Sequence, residues 1–251
     1  MRVALFVTCL VDLFRPSVGF ATVRLLERLG AEVVVPPEQT CCGQPAYNNG
    51  DFETARAIAR QAITAFDGFE HVVVPSGSCA GMLIKHYPEL FRDEPETLAQ
   101  AQSLAARTRE LSVFLAEFGG EQIIDAHFSG KIAMHDSCSS RRELGILAAP
   151  RALLNKVEGA EPVELQEAET CCGFGGTFCV KYPDISARMV SDKAAAVIAS
   201  GADVLVSGDL GCLMNIAGRL RRMDSTVRVY HLAELLADMT DVPAIGEGDK
   251  T

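Results

Sequence analysis

The sequence lacks an excess of basic residues. Its 23 lysines and arginines are outnumbered by 33 aspartates and glutamates, which gives a formal net charge of −10. A protein that binds nucleic acid needs a basic face to neutralise phosphates, so this balance argues against nucleic acid as a partner. The same balance disfavours electrostatic docking to an anionic membrane surface.

Long apolar segments are also missing. No apolar run in the sequence approaches the roughly 18–20 residues that span a bilayer. The apolar stretch at residues 3–11 is interrupted by Asp12 and lacks a clear basic leader and a small-residue cleavage site. It is typical of a buried first strand, so we expect a cytoplasmic protein without a transmembrane segment.

The common catalytic and nucleotide-binding motifs do not stand out. Residues 173–176 (GFGG) are rich in glycine but lack the Gly-x-Gly-x-x-Gly spacing of a nucleotide-binding loop. No Ser-His-Asp order, paired acidic motif or Walker loop rises above chance. The tight Cys-x-x-Cys knuckle that often holds structural zinc is absent as well.

Nine cysteines are the unusual feature of an otherwise ordinary globular composition, with 48% hydrophobic and 22% charged residues. In a reducing cytosol, clustered cysteines are more often metal ligands or redox-active groups than structural disulfides. An odd number cannot pair completely in any case. Any one cysteine taken alone could equally be a small core residue, so the arrangement of the set decides between these interpretations.

Eight of the nine cysteines follow one order twice: a single Cys, then Cys-Cys-Gly, then a single Cys. The first gap is 32 residues in one half and 33 in the other, and the second gap is 37 against 40. The candidate metal ligands are therefore Cys9, Cys41, Cys42, Cys79, Cys138, Cys171, Cys172 and Cys212. A repeat this regular predicts a duplicated unit, with residues 1–125 and 126–251 as its two copies.

Short runs rich in Val, Ile and Leu alternate with helical patterns in both halves. The predicted strands are residues 2–8, 32–35, 71–75, 131–137, 162–165 and 203–207. The predicted helices are residues 20–29, 51–66, 111–118, 185–200 and 232–239. This alternation predicts an α/β fold of two repeated Rossmann-like units with parallel sheets, joined near residues 119–130 and related by a pseudo-twofold axis.

The single cysteines each lie just past the carboxyl end of a predicted strand, where open α/β sheets bind their ligands. The Cys-Cys pairs lie in the loop after a neighbouring strand, so each half should gather four sulfurs at one edge. Four thiolates suit a tetrahedral zinc ion or a cubane iron–sulfur cluster. Gly43 and Gly173 permit the unusual backbone angles that adjacent thiols need to face one centre. The wide spacing of the ligands favours iron–sulfur, and zinc is the alternative metal.

Two further residues are candidates near these centres. His135 precedes Cys138 by three residues and could hydrogen-bond a cluster sulfide, or equally could be a capping or core histidine. Cys179 stands outside the repeat, as a spare ligand or a buried small residue, and we favour the second interpretation.

The repeated order Cys9, Cys41-Cys42-Gly43, Cys79 resembles the cysteine-rich CCG-domain family, which includes the B subunit of heterodisulfide reductase and the iron–sulfur subunit of glycolate oxidase. Residues 134–138 (MHDSC), 170–183 (TCCGFGGTFCVKYP) and 231–237 (HLAELLA) are similar to its short stand-alone members, which serve lactate utilisation. The resemblance implies an iron–sulfur electron-transfer component of a complex that oxidises L-lactate to pyruvate. It implies a subunit of an oxidoreductase and not a complete enzyme. The implied partners are other lactate-utilisation subunits, namely a ferredoxin-like iron–sulfur protein and a third component.

The sequence departs from the full family motif, which ends each half in Cys-x-x-Cys. Ser76 and Asp209 replace the first cysteine of that ending. Four cysteines per half make a [4Fe-4S] cubane the simpler expectation, with up to two clusters per chain and with Ser76 and Asp209 nearby. A thiol redox enzyme similar to heterodisulfide reductase and a zinc-stabilised interaction scaffold are the two alternatives.

Overall fold

The computed structural model describes residues 1–166 and 168–248 of the chain. In the first repeat a π-helical turn spans Met82–His86, shortly after Cys79. The other elements of this repeat are β1 (Arg2–Leu5), α1 (Cys9–Phe14), α2 (Pro16–Arg28), β2 (Glu32–Val34), α3 (Gln44–Asn48), α4 (Phe52–Ala65), β3 (His71–Val74), α5 (Gly77–Gly81), α6 (Tyr87–Leu90), α7 (Pro95–Arg107), β4 (Thr108–Glu110) and α8 (Leu111–Glu117).

The second repeat follows a short 3-10 turn at Gly120–Gln122. It has its own π-helical turn, Ser139–Glu143, directly after Cys138. The other elements are β5 (His127–Met134), α9 (Ala148–Leu154), β6 (Glu158–Val163), α10 (Phe178–Lys181), α11 (Pro183–Ala199), β7 (Val204–Ser207), α12 (Leu210–Arg222), β8 (Arg228–His231) and α13 (Leu232–Leu236).

The strands form two four-stranded sheets with the same strand order. One sheet runs β2-β1-β3-β4 and the other β6-β5-β7-β8, and all six strand pairs are parallel. In the first sheet Val3 lies opposite both Val33 and His71, which fixes the register of its central strand. The α/β class and the two repeated Rossmann-like units predicted from the sequence are confirmed.

The two units pack against each other through reciprocal pairs of helices. Helix α2 of the first unit contacts α13 of the second. The counterpart of α2 in the second unit is α9, and it contacts α8 of the first unit. Likewise α5 contacts the π-helical turn after Cys138, and α12 contacts α1. Such exchange of equivalent contacts is what a twofold relation between two similar units produces.

The largest hydrophobic core lies between the units and takes side chains from both, among them Val3, Phe114, Ile132 and Tyr230. A smaller core in each unit packs against its own sheet. The division at residues 125 and 126 stays a prediction. In the described part of the chain, none of the helices has the length and apolarity to cross a membrane.

The structure differs from the predicted elements at several ends. Strands β1 and β5 stop three residues before Thr8 and Ser137, which instead cap the turns that follow. The Thr8 hydroxyl accepts a hydrogen bond from the Val11 amide (3.4 Å), and the Ser137 hydroxyl accepts one from the Ser140 amide (3.2 Å). Capping by a hydroxyl satisfies amides at a helix start, and it places the next cysteine inside the first turn.

Candidate metal centres

The first group of cysteines lies at the carboxyl edge of the first sheet. Cys9 opens α1 directly after β1, Cys79 lies in α5 after β3, and Cys41 and Cys42 occupy the loop between β2 and α3. The sulfurs of Cys9 and Cys41 are 3.7 Å apart, and those of Cys42 and Cys79 are 3.3 Å apart. Cys41 also hydrogen-bonds with Cys42, so the four sulfurs form one continuous group.

The second group repeats this arrangement at the edge of the second sheet. The sulfurs of Cys172 and Cys212 are 2.9 Å apart. Cys171 hydrogen-bonds with both Cys138 and Cys172, which joins all four sulfurs. The structure thus brings together each set of four cysteines that the sequence repeat marks as candidate ligands.

A glycine follows each Cys-Cys pair and turns the backbone back toward the sulfurs. Gly43 has φ = 83° and Gly173 has φ = 78°, a left-handed conformation that side chains other than glycine rarely adopt. Their amides point at the first sulfur of each pair, with N···S distances of 3.5 Å to Cys41 and 3.4 Å to Cys171. A Cβ atom on Gly173 would lie only 2.8 Å from the Ser186 carbonyl oxygen.

The carbonyl oxygen of the second cysteine in each pair is also held in place. The buried Tyr87 hydroxyl donates to the Cys42 carbonyl, and the Asn215 amide donates to the Cys172 carbonyl, both at 2.9 Å. Sequence reasoning missed both residues. Because they differ in type and in spacing from the nearest cysteine, the repeat gives no signal for them.

One sulfur in each group is stabilised as a thiolate. Hydrogen bonds from Cys42 and Cys9 lower the pKa of Cys41 to about 3. Hydrogen bonds from Cys138 and Cys172 lower the pKa of Cys171 to about 2. Each group therefore contains a soft anionic donor surrounded by further thiols, a donor set that suits zinc or an iron–sulfur cluster.

His135 lies beside the second group. Its side chain is buried, with 2% of the residue exposed, and burial lowers its pKa to about 4, so the ring is neutral. A ring nitrogen of His135 and the sulfurs of Cys172 and Cys212 all lie within 4.8 Å of one another. A neutral imidazole at this position can bind a metal ion.

Ser76 and Asp209 contact each other across the two units. The Ser76 hydroxyl donates to Asp209 Oδ1 (3.2 Å), and the Ser78 amide and hydroxyl donate to Oδ2 (2.9 Å) and Oδ1 (2.8 Å). Ser76 also accepts a hydrogen bond from the Cys79 amide (3.3 Å), while the Cys179 thiol donates to the Gly176 carbonyl (3.3 Å). Their part in metal binding stays a prediction.

Comparison with known proteins agrees with this geometry. The family model of the cysteine-rich CCG domain matches the chain twice, over residues 3–84 and 132–217. The chain belongs to the CCG family. Curated relatives include "Lactate utilization protein A" of Macrococcus caseolyticus, 50% identical over 96% of this chain and 98% of the relative. The protein of the same name from Bacillus cytotoxicus is 48% identical over 94% of this chain and 98% of the relative.

Among solved structures, a hypothetical protein from Helicobacter pylori has the same fold as this CCG protein. The two superpose with a TM-score of 0.62 at 14% sequence identity, over 99% of this chain. The chain spans 50% of the length of the Helicobacter protein. At this identity the similarity supports the fold alone.

Proposed function

We propose that this chain is an iron–sulfur electron-transfer component of an L-lactate-oxidising system, with one metal centre in each unit. The observation that carries the proposal is the pair of four-thiol groups at the carboxyl edges of the two sheets. The support for the lactate system is the relatives named lactate utilization protein A, which match along nearly the full length of both chains.

The thiols present fit this cofactor class. Four sulfurs in one continuous group match the four-cysteine ligation of a [4Fe-4S] cluster, which transfers one electron at a time when bound. Cys42 and Cys172 are buried, so the side of each centre that they bind would be shielded from water. Cys9 and Cys41 are partly exposed, which leaves one side of the first centre close to the surface.

Contacts between the two Cys-Cys-Gly regions favour electron transfer between the centres. The Thr177 hydroxyl, five residues after Cys172, donates to the side chain of Asn49 at the end of α3 (3.0 Å). The segments that follow the two cysteine pairs thus contact each other across the unit boundary. A route through both centres needs this kind of proximity.

The first centre also has a surface suited to a redox partner. A surface cavity of about 340 Å³ is lined by Cys9 and Cys41 together with the apolar side chains of Leu13 and Val35. Leu13 is 70% exposed and Val35 is 47% exposed. Exposed apolar residues next to a metal centre suit a docking partner, which we propose is a ferredoxin-like or third subunit of the lactate-utilisation system.

Anaerobic purification followed by iron, sulfide and zinc analysis and by EPR of the reduced protein tests this function. Two cubane clusters predict about eight irons and eight sulfides per chain. Cys42→Ser and Cys172→Ser should each lose about half of the iron. Cys179→Ser is the matched control and should retain all of it. Stoichiometric zinc without iron would refute electron transfer and leave a zinc-stabilised scaffold as the function.

A further inference from the structure

The two centres differ in the side chain three residues before their first cysteine. In the first unit this residue is Phe6, which is buried and stacks on Phe66 with ring centroids 5.3 Å apart. In the second unit it is His135, which is equally buried. Aromatic stacking fully accounts for Phe6, whereas the imidazole brings two polar nitrogens into the same kind of position.

Neither ring nitrogen of His135 has a hydrogen-bond partner among the described residues. Buried polar atoms nearly always have a partner, and each exception requires an explanation. For one nitrogen the explanation is the neighbouring cysteines, because this nitrogen lies within 4.8 Å of the sulfurs of both Cys172 and Cys212. A single metal ion placed among these three atoms would satisfy that nitrogen.

The second nitrogen has a separate explanation. A cavity of about 20 Å³ is lined by His135 together with the hydroxyl-bearing residues Ser137, Ser140 and Ser207. This is enough space for one water molecule, and the buried Ser207 hydroxyl is also without a partner among the described residues. A ligating histidine commonly uses its other nitrogen for a hydrogen bond of this type, which fixes the ring orientation.

We propose that His135 is a fifth protein ligand of the C-terminal centre, and that the N-terminal centre has no such ligand because Phe6 occupies the matching position. The inference rests on the proposed function, since it requires a metal centre at Cys138, Cys171, Cys172 and Cys212. The two centres of one chain are then chemically different, one with only sulfur ligands and one with sulfur and nitrogen ligands. A hydrogen bond from His135 to a cluster sulfide is the competing arrangement.

Pulsed EPR of the reduced, anaerobically purified protein labelled with 15N-histidine distinguishes a metal-bound His135 from a His135 that only donates a hydrogen bond to a cluster sulfide. We expect the strong hyperfine coupling of a directly bonded nitrogen in one of the two centres. His135→Phe, which copies the residue of the first unit, should remove that coupling. It should also weaken iron binding at one centre at least tenfold in competition with a chelator, the scale set by loss of a residue that supports a metal site. His135→Cys should restore iron retention without the nitrogen coupling.

Two results would overturn the inference. One is an iron-loaded wild-type protein with no strongly coupled histidine nitrogen, and the other is an unchanged coupling in His135→Phe. The wild-type measurement is decisive even if a variant fails to fold. A wild-type protein that binds no iron would refute the proposed function itself, so the two failures are distinguishable.

Discussion

The buried carboxyl group of Glu110 should make the stability of the protein depend on pH. Glu110 ends β4 and caps α8, where it accepts hydrogen bonds from the amides of Ser112 (2.8 Å) and Val113 (3.4 Å). Only 4% of the residue is exposed. Burial, with a smaller contribution from the charge of Asp209, raises its pKa from 4.5 to about 7.

The direction of the effect follows from the two pKa values. In the unfolded chain Glu110 loses its proton near pH 4.5, whereas in the folded protein it keeps the proton until about pH 7. Its contribution to stability is therefore complete below pH 4.5 and is lost as the pH rises through 7. At about 1.4 kcal/mol per pH unit between the two values, the loss is about 3 kcal/mol.

Urea unfolding of wild type and Glu110→Gln between pH 4.5 and 8 measures this loss. The variant cannot ionise at this position, so its free energy of unfolding should fall by about 3 kcal/mol less than that of wild type over this range. Glu117→Gln, at the exposed end of the same helix, is the matched control and should follow wild type. Parallel pH curves for wild type and Glu110→Gln would refute the reasoning.

Three further predictions follow from the glycines, the ion pair and the thiols. Gly173→Ala should lower the thermal unfolding midpoint more than Gly43→Ala, because an added Cβ meets a backbone oxygen at 2.8 Å in the first case and a side-chain methyl at 3.3 Å in the second; equal midpoints would contradict this. The Arg15 Nε atom lies 2.8 Å from the carboxylate of the fully buried Glu234, so Arg15→Met leaves that carboxylate without its cation. The free energy of unfolding in urea should fall by about 3 kcal/mol. An unchanged stability would show that the other hydrogen-bond donors to Glu234 suffice. In metal-free protein at pH 5, iodoacetamide should alkylate Cys171 before Cys179, since hydrogen bonds lower the Cys171 pKa to about 2, and peptide mass spectrometry would expose the opposite order.

The cysteine repeat and the central strands could be predicted because both leave local signals. Strands β1, β3 and β7 are apolar runs that are buried along nearly their whole length. A cysteine lies near the start of the helix that follows each strand. Strands β4 and β8 were missed. Strand β4 has the short polar sequence Thr-Arg-Glu, whose burial comes from packing, and β8 has the mixed sequence Arg-Val-Tyr-His, which gives only a short apolar signal.

The contacts across the unit boundary could not be predicted from the sequence. Ser76 and Asp209 are separated by 133 residues, and only the packing of α5 near the start of α12 brings them together. His135 gave a partial signal, because alignment of the two halves places it opposite Phe6. The sequence could not show that a ring nitrogen of His135 lies close to Cys172 and Cys212, since this depends on where the fold places residues that are distant in sequence.

Ser76 and Asp209 occupy the same position in their respective units, each at the start of the helix that carries the last cysteine, and they bind each other across the unit boundary. In a homodimer of one unit, that position would meet its own copy, and two aspartates would repel each other in a buried site. When both units belong to one chain, the residues at this position in the two units no longer need to be the same. A donor on one side can then face an acceptor on the other, and the duplicated metal centres are equally free to diverge into non-identical halves.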